Sequence, residues 1–442
     1  MLTFNLNIIP RVKDAYVVGG SIRDILANRV PNDYDFVVAG SAKEFAKSIA
    51  EKTNGHVISL GKPGFSLYRV SSGIGCFDVS SVSGETIVED LSKRDFTVNA
   101  MAVEIFSGEL VDPFNGMADL KQKKIKMVSE QAFIEDPVRL LRAYRLAAKF
   151  NFKIEPETQA AVKRNCRLIQ KAPRERIHSE LLGVLKLSGS ADYVALMIAS
   201  GLLFSIIPEL SVLPGLISEK TGMEMVTYEK LEALLANSHV YIPDEHQALN
   251  HLDENAGLLK LAVLFNNIVK TEKKAGGRVD SSTCCFSFLE VDTSIVSAVC
   301  DKLRLTGDEK NYISGVIGNS KIPAYLYSLS DRRVNPCNSF SRFFYKCKEI
   351  VPDIVFFALA CNGPSDDRFA KFLKVLLFEY YKKFIPLYHL DPLITRQDLI
   401  SEFSLEPSPG FKTILGQVRE ARLEGEIASR QEALEMVKRL IS

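Results

Sequence analysis

The first third of the chain alternates short apolar runs with amphipathic stretches. Ala15–Val18, Tyr34–Val38, His56–Leu60, Ser66–Val70 and Cys76–Ser80 are rich in β-branched and aromatic residues, and this predicts strands. Ser21–Leu26 and Ala42–Lys52 carry apolar residues at helical spacing and predict the helices between them. From about Glu135 onward the period is helical almost throughout. It is interrupted only by Gly/Pro breaks near Pro173, Pro208, Pro214-Gly215, Gly276-Gly277, Gly363-Pro364 and Pro407–Gly410. No low-complexity tract and no fixed-period repeat is visible. The expected fold is α+β: a mixed-sheet head with helices over 1–130, then an all-α neck (131–190), body (191–345) and tail (346–442).

Composition narrows the class. At 442 residues the chain is too long for one core, and 46% hydrophobic with 25% charged residues is the balance of an ordinary soluble globular protein. The first residues lack the basic-then-apolar order of a signal peptide, and no window reaches the roughly 18 apolar residues of a membrane span, so a cytoplasmic location and no membrane partner are expected. The eight cysteines form no C-x-x-C pair, only the adjacent Cys284 and Cys285 and scattered singles, and are expected to be buried thiols. The formal net charge of +1 excludes a uniformly basic nucleic-acid binder but leaves room for a local patch. Lys163, Arg164, Arg167, Lys171, Arg174 and Arg176 form such a stripe, with Glu175 the one acid among them. It suits either an RNA backbone or a solvated helix face.

Four short elements carry candidate chemistry. In Val18-Gly19-Gly20-Ser21-Ile22-Arg23-Asp24 the glycines let backbone approach a ligand. The helix that follows aims its free N–H groups at negative charge, and Arg23 offers a bidentate fork to phosphate. A plain tight turn has the same pattern. Asp33 and Asp35 follow two apart in a strand-like run, so alternation places both carboxylates on one face and Tyr34 and Phe36 on the other. Paired hard oxygen ligands suit Mg²⁺ ions holding a triphosphate, although surface acids flanking an aromatic give the same spacing. Asp78 is a third carboxylate that could reach the same place from a neighbouring strand.

The third element is Glu89–Met101, where Arg94 offers a fixed positive charge to a nucleotide and Asp95 and Asn99 can hold it; a helix cap with a surface ion pair is the plainer reading. In the fourth, Glu135–Ala148, Pro137 reads as the first helical residue and Asp136 as its cap. Arg139, Arg142 and Arg145 recur every third position along one arc. An acceptor beside a rigid donor can read cytosine or adenine, each of which presents an exocyclic amino donor next to a ring-nitrogen acceptor. Uracil and guanine present the reverse order.

These four elements, in this order, resemble the class II tRNA nucleotidyltransferase and bacterial poly(A) polymerase family, with its Gly-Gly-x-x-Arg-Asp turn, Asp-x-Asp, Arg-Arg-Asp-Phe-Thr-x-Asn-Ala and Glu-Asp-x-x-Arg patterns. The resemblance covers residues 1 to about 190 and implies a polymerase-β-like nucleotidyltransferase head. It implies Mg²⁺ on Asp33 and Asp35, triphosphate at Gly19, Gly20 and Arg23, and nucleotide contacts from Arg94, Arg142 and Arg145. Base selection would fall to Asp136 and Arg139. The reaction would be transfer of nucleotides from CTP or ATP to the 3′ end of tRNA, the tRNA being held through its 3′ end and acceptor arm.

Lys93 departs from the pattern, keeping the charge of the usual arginine without its fork. The connection between Asp78 and Glu89 is short, which in this family looks like the mark of an enzyme adding only the two cytidines; A-adding, CCA-adding and poly(A)-adding members stay open. Leu258–Lys270 looks like the core helix of an HD phosphohydrolase domain in which Asn266 and Asn267 stand where His-Asp ligands would be. This predicts a degenerate domain with His246 and His251 as ordinary helix residues. The tail, from Pro392 through Gly425-Glu426-Ile427, looks like the family's terminal helical region. A metal phosphohydrolase centred on the body and an inactive RNA-binding adaptor are the alternatives.

Overall fold

Strand β2 (Asp33–Val38) lies at the centre of a seven-stranded sheet whose order is β3-β4-β5-β2-β1-β6-β7. The other strands are β1 (Ala15–Val18), β3 (His56–Ser59), β4 (Leu67–Ser72), β5 (Gly75–Ser81), β6 (Ala102–Glu104) and β7 (Leu110–Val111). The β2–β5 pair is parallel and its neighbours are antiparallel, so the sheet is mixed, as the sequence predicts. The computed structural model of the chain describes residues 9–31, 33–60, 66–212, 223–242, 246–266, 268, 291–331, 337–362, 367–423 and 425–441. They form two compact units that divide after Pro208.

Alternation along β2 decides which side of the sheet is dry. Phe36 and Val38 join Val17, Val70, Phe77 and Val79 in one apolar cluster, closed by Phe45 and Ile49 of helix α2 (Ala42–Thr53) and Ile22 of helix α1 (Gly20–Leu26). Tyr34 packs on the same side, with its ring 5.9 Å from that of Phe77. Val18 and Val37 turn to the opposite face, where Leu91 and Ala100 cover them. Asp33 and Asp35 share that second face by their spacing, on the half of the strand where the apolar cover ends. Helix α2 starts at a Ser41 cap that accepts from the Glu44 N–H and ends at Asn54 in the left-handed conformation.

Beyond the sheet come α3 (Ile87–Ser92), α4 (Gly116–Lys121), α5 (Gln131–Glu135), α6 (Val138–Phe150), α7 (Pro156–Asn165) and α8 (Arg174–Leu185). The strand pair β8 (Lys124–Ile125) and β9 (Lys153–Ile154) ties the start of this helical run to its middle. Helix α6 is the neck's axis. Val138, Leu141, Tyr144, Leu146, Ala147 and Phe150 are buried, which leaves Arg139, Arg142, Arg145 and Lys149 to the remaining face. It begins one residue later than the sequence predicts, with Pro137 as its cap position.

Among the described residues the second unit contains helices only. Its last helices, Arg396–Phe403, Gly410–Leu423 and Arg430–Ile441, close over their own apolar cluster of Leu399, Phe411, Val418, Ala433 and Val437. His251 departs from its reading as an ordinary helix residue. Its Nε2 lies 2.8 Å from Oδ2 of the fully buried Asp353, whose other oxygen accepts from Tyr312 at 2.5 Å. A carboxylate with no water to solvate it needs such partners. Asn266 lies just past the end of helix His246–Phe265, while Asn267 and the His246 side chain lie outside what the structure describes. Cys76, Cys166, Cys300, Cys347 and Cys361 are free thiols, of which Cys300 and Cys347 are buried; Cys284 and Cys285 lie outside the described residues. No helix among the described residues is long and apolar enough to cross a membrane.

One glycine sets how α4 docks. A Cβ on Gly116 would come within 2.1 Å of the Thr97 carbonyl oxygen, and both Gly116 and Met117 donate their N–H groups to Asp112. Backbone on both sides leaves little to yield. Gly116→Ala is therefore expected to cost on the order of 1–3 kcal/mol, read as a lower urea midpoint; an unchanged midpoint would show that the Thr97 turn can move.

Candidate active site

The glycine turn, the two aspartates and helix α6 meet around one cavity. It is lined by Gly20, Ser21, Arg23, Asp24, Asp33, Asp35, Asn99, Arg142, Arg145, Leu146 and Lys149, and encloses about 330 Å³. The Ser21 hydroxyl fastens α1 to β2 by donating to the Asp33 carbonyl and accepting from the Asp35 N–H, at 3.0 and 3.1 Å. Gly19 adopts φ +69°, and a Cβ there would sit 2.9 Å from Arg94 Nη1 and 3.3 Å from Asp35 Oδ2. Only glycine satisfies both the backbone conformation and the space. Gly20 has no such strain; a Cβ there would meet only the end of the Arg23 side chain.

Every arginine of the site is oriented by an acid or an amide. Arg23, 6% exposed, donates to Asp24 at 2.8 and 2.9 Å and to Asn99 Oδ1 at 2.6 Å. Asn99 in turn donates to Asp95 at 2.9 Å, and Asp95 accepts from Arg142 at 3.3 Å. Arg142 donates to Glu180 at 3.2 Å, and the second Glu180 oxygen takes a short hydrogen bond from Arg145. Arg94 is held by Asp90 at 3.1 and 3.2 Å, beside Gly19.

The carboxylates are crowded. Burial pushes the Asp35 carboxyl above its ordinary range; Arg94 opposes this, and the charges of Asp78 and Asp33 add to it. Asp78 faces Asp35 across the parallel β2–β5 pair, yet both its oxygens are taken by Arg69 at 2.7 Å. Its influence on Asp35 is therefore electrostatic, and a third metal ligand is not what its hydrogen bonds serve. Among the described residues no group of three or more metal-ligating side chains occurs. Two carboxylates on one face of a strand, Asp35 with its proton affinity raised by burial, still suit a divalent cation that takes its remaining ligands from substrate phosphates and water.

Asp136 and Arg139 do not line the cavity. They stand at the start of α6, where Asp136 accepts both forks of Arg176 at 2.7 and 3.0 Å and the Val138 N–H at 3.3 Å. Arg139 lies 3.9 Å from Asp136 and donates to the Ala132 carbonyl at 3.2 Å. Burial works against ionisation of Asp136, but the Arg176 hydrogen bond and the charges of Arg176 and Arg139 hold its carboxyl below the usual range. The basic stripe is less uniform than its sequence. Arg176 is committed to Asp136, and Arg164 to Glu130 and Glu157; Lys163, Arg167 and Lys171 are exposed and Arg174 is half-buried. Lys93 donates to the carbonyl and hydroxyl oxygens of Ser83, pinning the short connection 82–86.

Sequence reasoning passed over Lys149 and Glu180. Lys149 was findable: at about 100° per residue it falls on the helix between Arg142 and Arg145. Glu180 comes from α8 and left no local signal.

Comparison with known proteins fits this geometry. The family pattern described as "Poly A polymerase head domain" matches residues 15–126, and "Probable RNA and SrmB- binding site of polymerase A" matches residues 151–213. A CC-adding tRNA nucleotidyltransferase of Synechocystis is 27% identical over 99% of this chain and 95% of its own length. In its head and the segment that follows, the chain is similar to the class II tRNA nucleotidyltransferase and bacterial poly(A) polymerase family. An A-adding tRNA nucleotidyltransferase of Deinococcus radiodurans, another relative, is also 27% identical, over 96% of this chain and 95% of its own. The fold matches that of a CCA-adding enzyme solved with CTP, at a TM-score of 0.66 and 22% identity, covering 97% of this chain and 91% of that one. The four sequence elements that carry this resemblance include the glycine turn and the aspartates that line the cavity.

Burial of Asp35 has a consequence for stability. A carboxyl whose proton affinity is raised by folding destabilises the fold when ionised; the cost is absent below the ordinary pKa of about 3.9 and grows as pH rises through the raised folded value. Asp35→Asn is expected to raise the melting temperature of the metal-free protein near neutral pH, with the gain fading toward about pH 4. Equal melting temperatures across that range would show that Asp35 carries no such strain.

Proposed function

We propose that the protein is a Mg²⁺-dependent cytoplasmic nucleotidyltransferase that extends the 3′ end of tRNA from CTP or ATP without a nucleic-acid template. The observation that carries this is the meeting of Asp33 and Asp35 with Arg23, Arg142 and Arg145 around one cavity. Carboxylates on one wall and oriented guanidiniums on the other are what an incoming nucleoside triphosphate needs.

In this reading the glycine turn admits the phosphates against backbone, with no Cβ at Gly19 to block them. Arg23, Arg142 and Arg145 bind the triphosphate oxygens, and their acid partners keep the guanidiniums in place before substrate arrives. Arg94 stabilises nucleotide charge from beside Asp35. Asp33 and Asp35 would hold the divalent ion, which supplies activation of the attacking 3′-hydroxyl and stabilisation of the departing pyrophosphate.

Base choice is assigned to Asp136 and Arg139. Arg176 occupies two of the roughly four acceptor positions of the Asp136 carboxylate, and the remainder can accept the amino group of cytosine or adenine. Arg176 thus fixes the reader's orientation, and Lys163, Arg167, Lys171 and Arg174 are left to follow an RNA backbone. The finer division into head, neck, body and tail is part of the proposal; the separate apolar cluster of the last helices supports an independent tail.

We further read the enzyme as CC-adding. Residues 82–86 are a short connection tied down at Ser83 by Asp90 and Lys93 and at Glu85 by Glu89. Incubation with tRNA ending at its discriminator base, with CTP and ATP supplied separately, is expected to give a product two nucleotides longer with CTP alone. Extension by ATP alone would overturn the CC reading. Asp35→Ala should abolish incorporation while leaving tRNA affinity within about twofold, and persistent turnover would remove the metal-binding role. Arg139→Ala should reduce the preference for CTP over UTP by about 10-fold or more, up to the ~10⁴ available to a hydrogen-bonding site. An unchanged ratio would assign base reading elsewhere.

A further inference from the structure

The ring of Phe150, at the end of α6, gathers cations. The Arg23 guanidinium carbon lies 4.5 Å from its centroid, that of Arg29 4.7 Å, and the Lys149 ammonium 5.5 Å. These distances lie within cation–π range. Phe150 is buried at 6% exposure, so the ring is a fixed platform, and Arg23 is 6% exposed beside it. Arg29 is exposed beyond the end of α1, whereas Arg23 and Lys149 line the cavity.

The charges here are unequal. Arg23 has Asp24, and Arg142 and Arg145 have Glu180, but among the described residues Lys149 makes no ion pair. Burial lowers its proton affinity, Asp24 opposes this, and Arg23, Arg145 and Arg29 lower it further. Three like charges against one acid, at a cavity wall, are tolerated most readily when a polyanion completes the set. The two carboxylates Asp33 and Asp35 also line this cavity.

We infer that Lys149 directly contacts the distal phosphates of the incoming nucleotide and holds the pyrophosphate produced from them, and that Phe150 is a positioning residue that keeps Arg23 and Arg29 grouped for the same ligand. The inference rests on the nucleotidyltransferase reading and specifies the leaving-group end of that site. As the 3′ hydroxyl gives up its proton to solvent and its oxygen bonds to the α-phosphorus, the bond from that phosphorus to the bridging oxygen breaks, and pyrophosphate departs with the electron pair. The negative charge on the leaving group rises at that moment. A compact ammonium without a committed acid partner can follow it, whereas the forked arginines are tied in place. Exposed Arg29 then marks the way out.

The test reads binding apart from turnover. Titration calorimetry with magnesium pyrophosphate on the full-length protein should show about 10-fold weaker binding for Lys149→Met, with Lys149→Arg restoring most of it. The KM for CTP should rise by a similar factor while the KM for tRNA stays constant. Phe150→Leu should weaken pyrophosphate binding several-fold, and Phe150→Tyr, which keeps the ring, should not. Because Lys149 is exposed, its replacement leaves the fold intact; equal pyrophosphate affinity in Lys149→Met and wild type would overturn the assignment. A wild-type protein that binds pyrophosphate but adds nothing to tRNA would overturn the proposed function alone, and the effect of Lys149→Met on affinity would still decide this inference.

Discussion

A single chain of polar contacts holds the active site together: Asp24 to Arg23, Arg23 to Asn99, Asn99 to Asp95, Asp95 to Arg142, Arg142 to Glu180, and Glu180 to Arg145. It crosses from the helix after the glycine turn, through the turn at Thr97–Asn99, to α6 and α8. Charged groups this close to the interior are stable only when each has a partner, and removing one leaves its neighbour buried and uncompensated. The chain therefore does more than orient three guanidiniums. It fixes the sheet and the neck in one relation, so that carboxylates borne on a strand and cations borne on a helix face the same space.

The sheet supplies the other half of that geometry by a simple rule. Because side chains alternate along β2, the residues that bury Phe36 and Val38 against α2 necessarily turn Asp33 and Asp35 the other way. The apolar pattern and the carboxylate pattern are one pattern read on two faces. A one-residue slip in the β2–β5 register would bury carboxylates and expose aromatics together. The fold is thus protected from partial error at the place where the chemistry depends on it most.

This explains which parts could be read from sequence. The five early strands and both early helices were legible because each has a strong local period, and Asp33, Asp35, Gly20, Arg23, Arg142 and Arg145 were legible because the spacing of each follows from its own element. What escaped depends on residues distant in sequence. Glu180 reaches the site from α8, 38 positions after Arg142. Arg176, read as part of a basic stripe, holds Asp136 from 40 positions away, and Asp353 holds His251 from 102. Ion pairs of this kind have no periodic signature. Lys149 is different: it shared the arc of the arginines and was hidden by the three-residue spacing of Arg139, Arg142 and Arg145, which drifts around the helix, while Lys149 returns to the face.

The connection at 82–86 is a strut. Fastened at Ser83 by Asp90 and Lys93 and at Glu85 by Glu89, it ties the end of β5 to α3. Asp78 and Asp90 bracket that strut, Asp78 paired in register with Asp35 and Asp90 bonded to Arg94. The carboxylate of Asp35 and the guanidinium of Arg94, which come from different elements, are thereby anchored to one and the same frame.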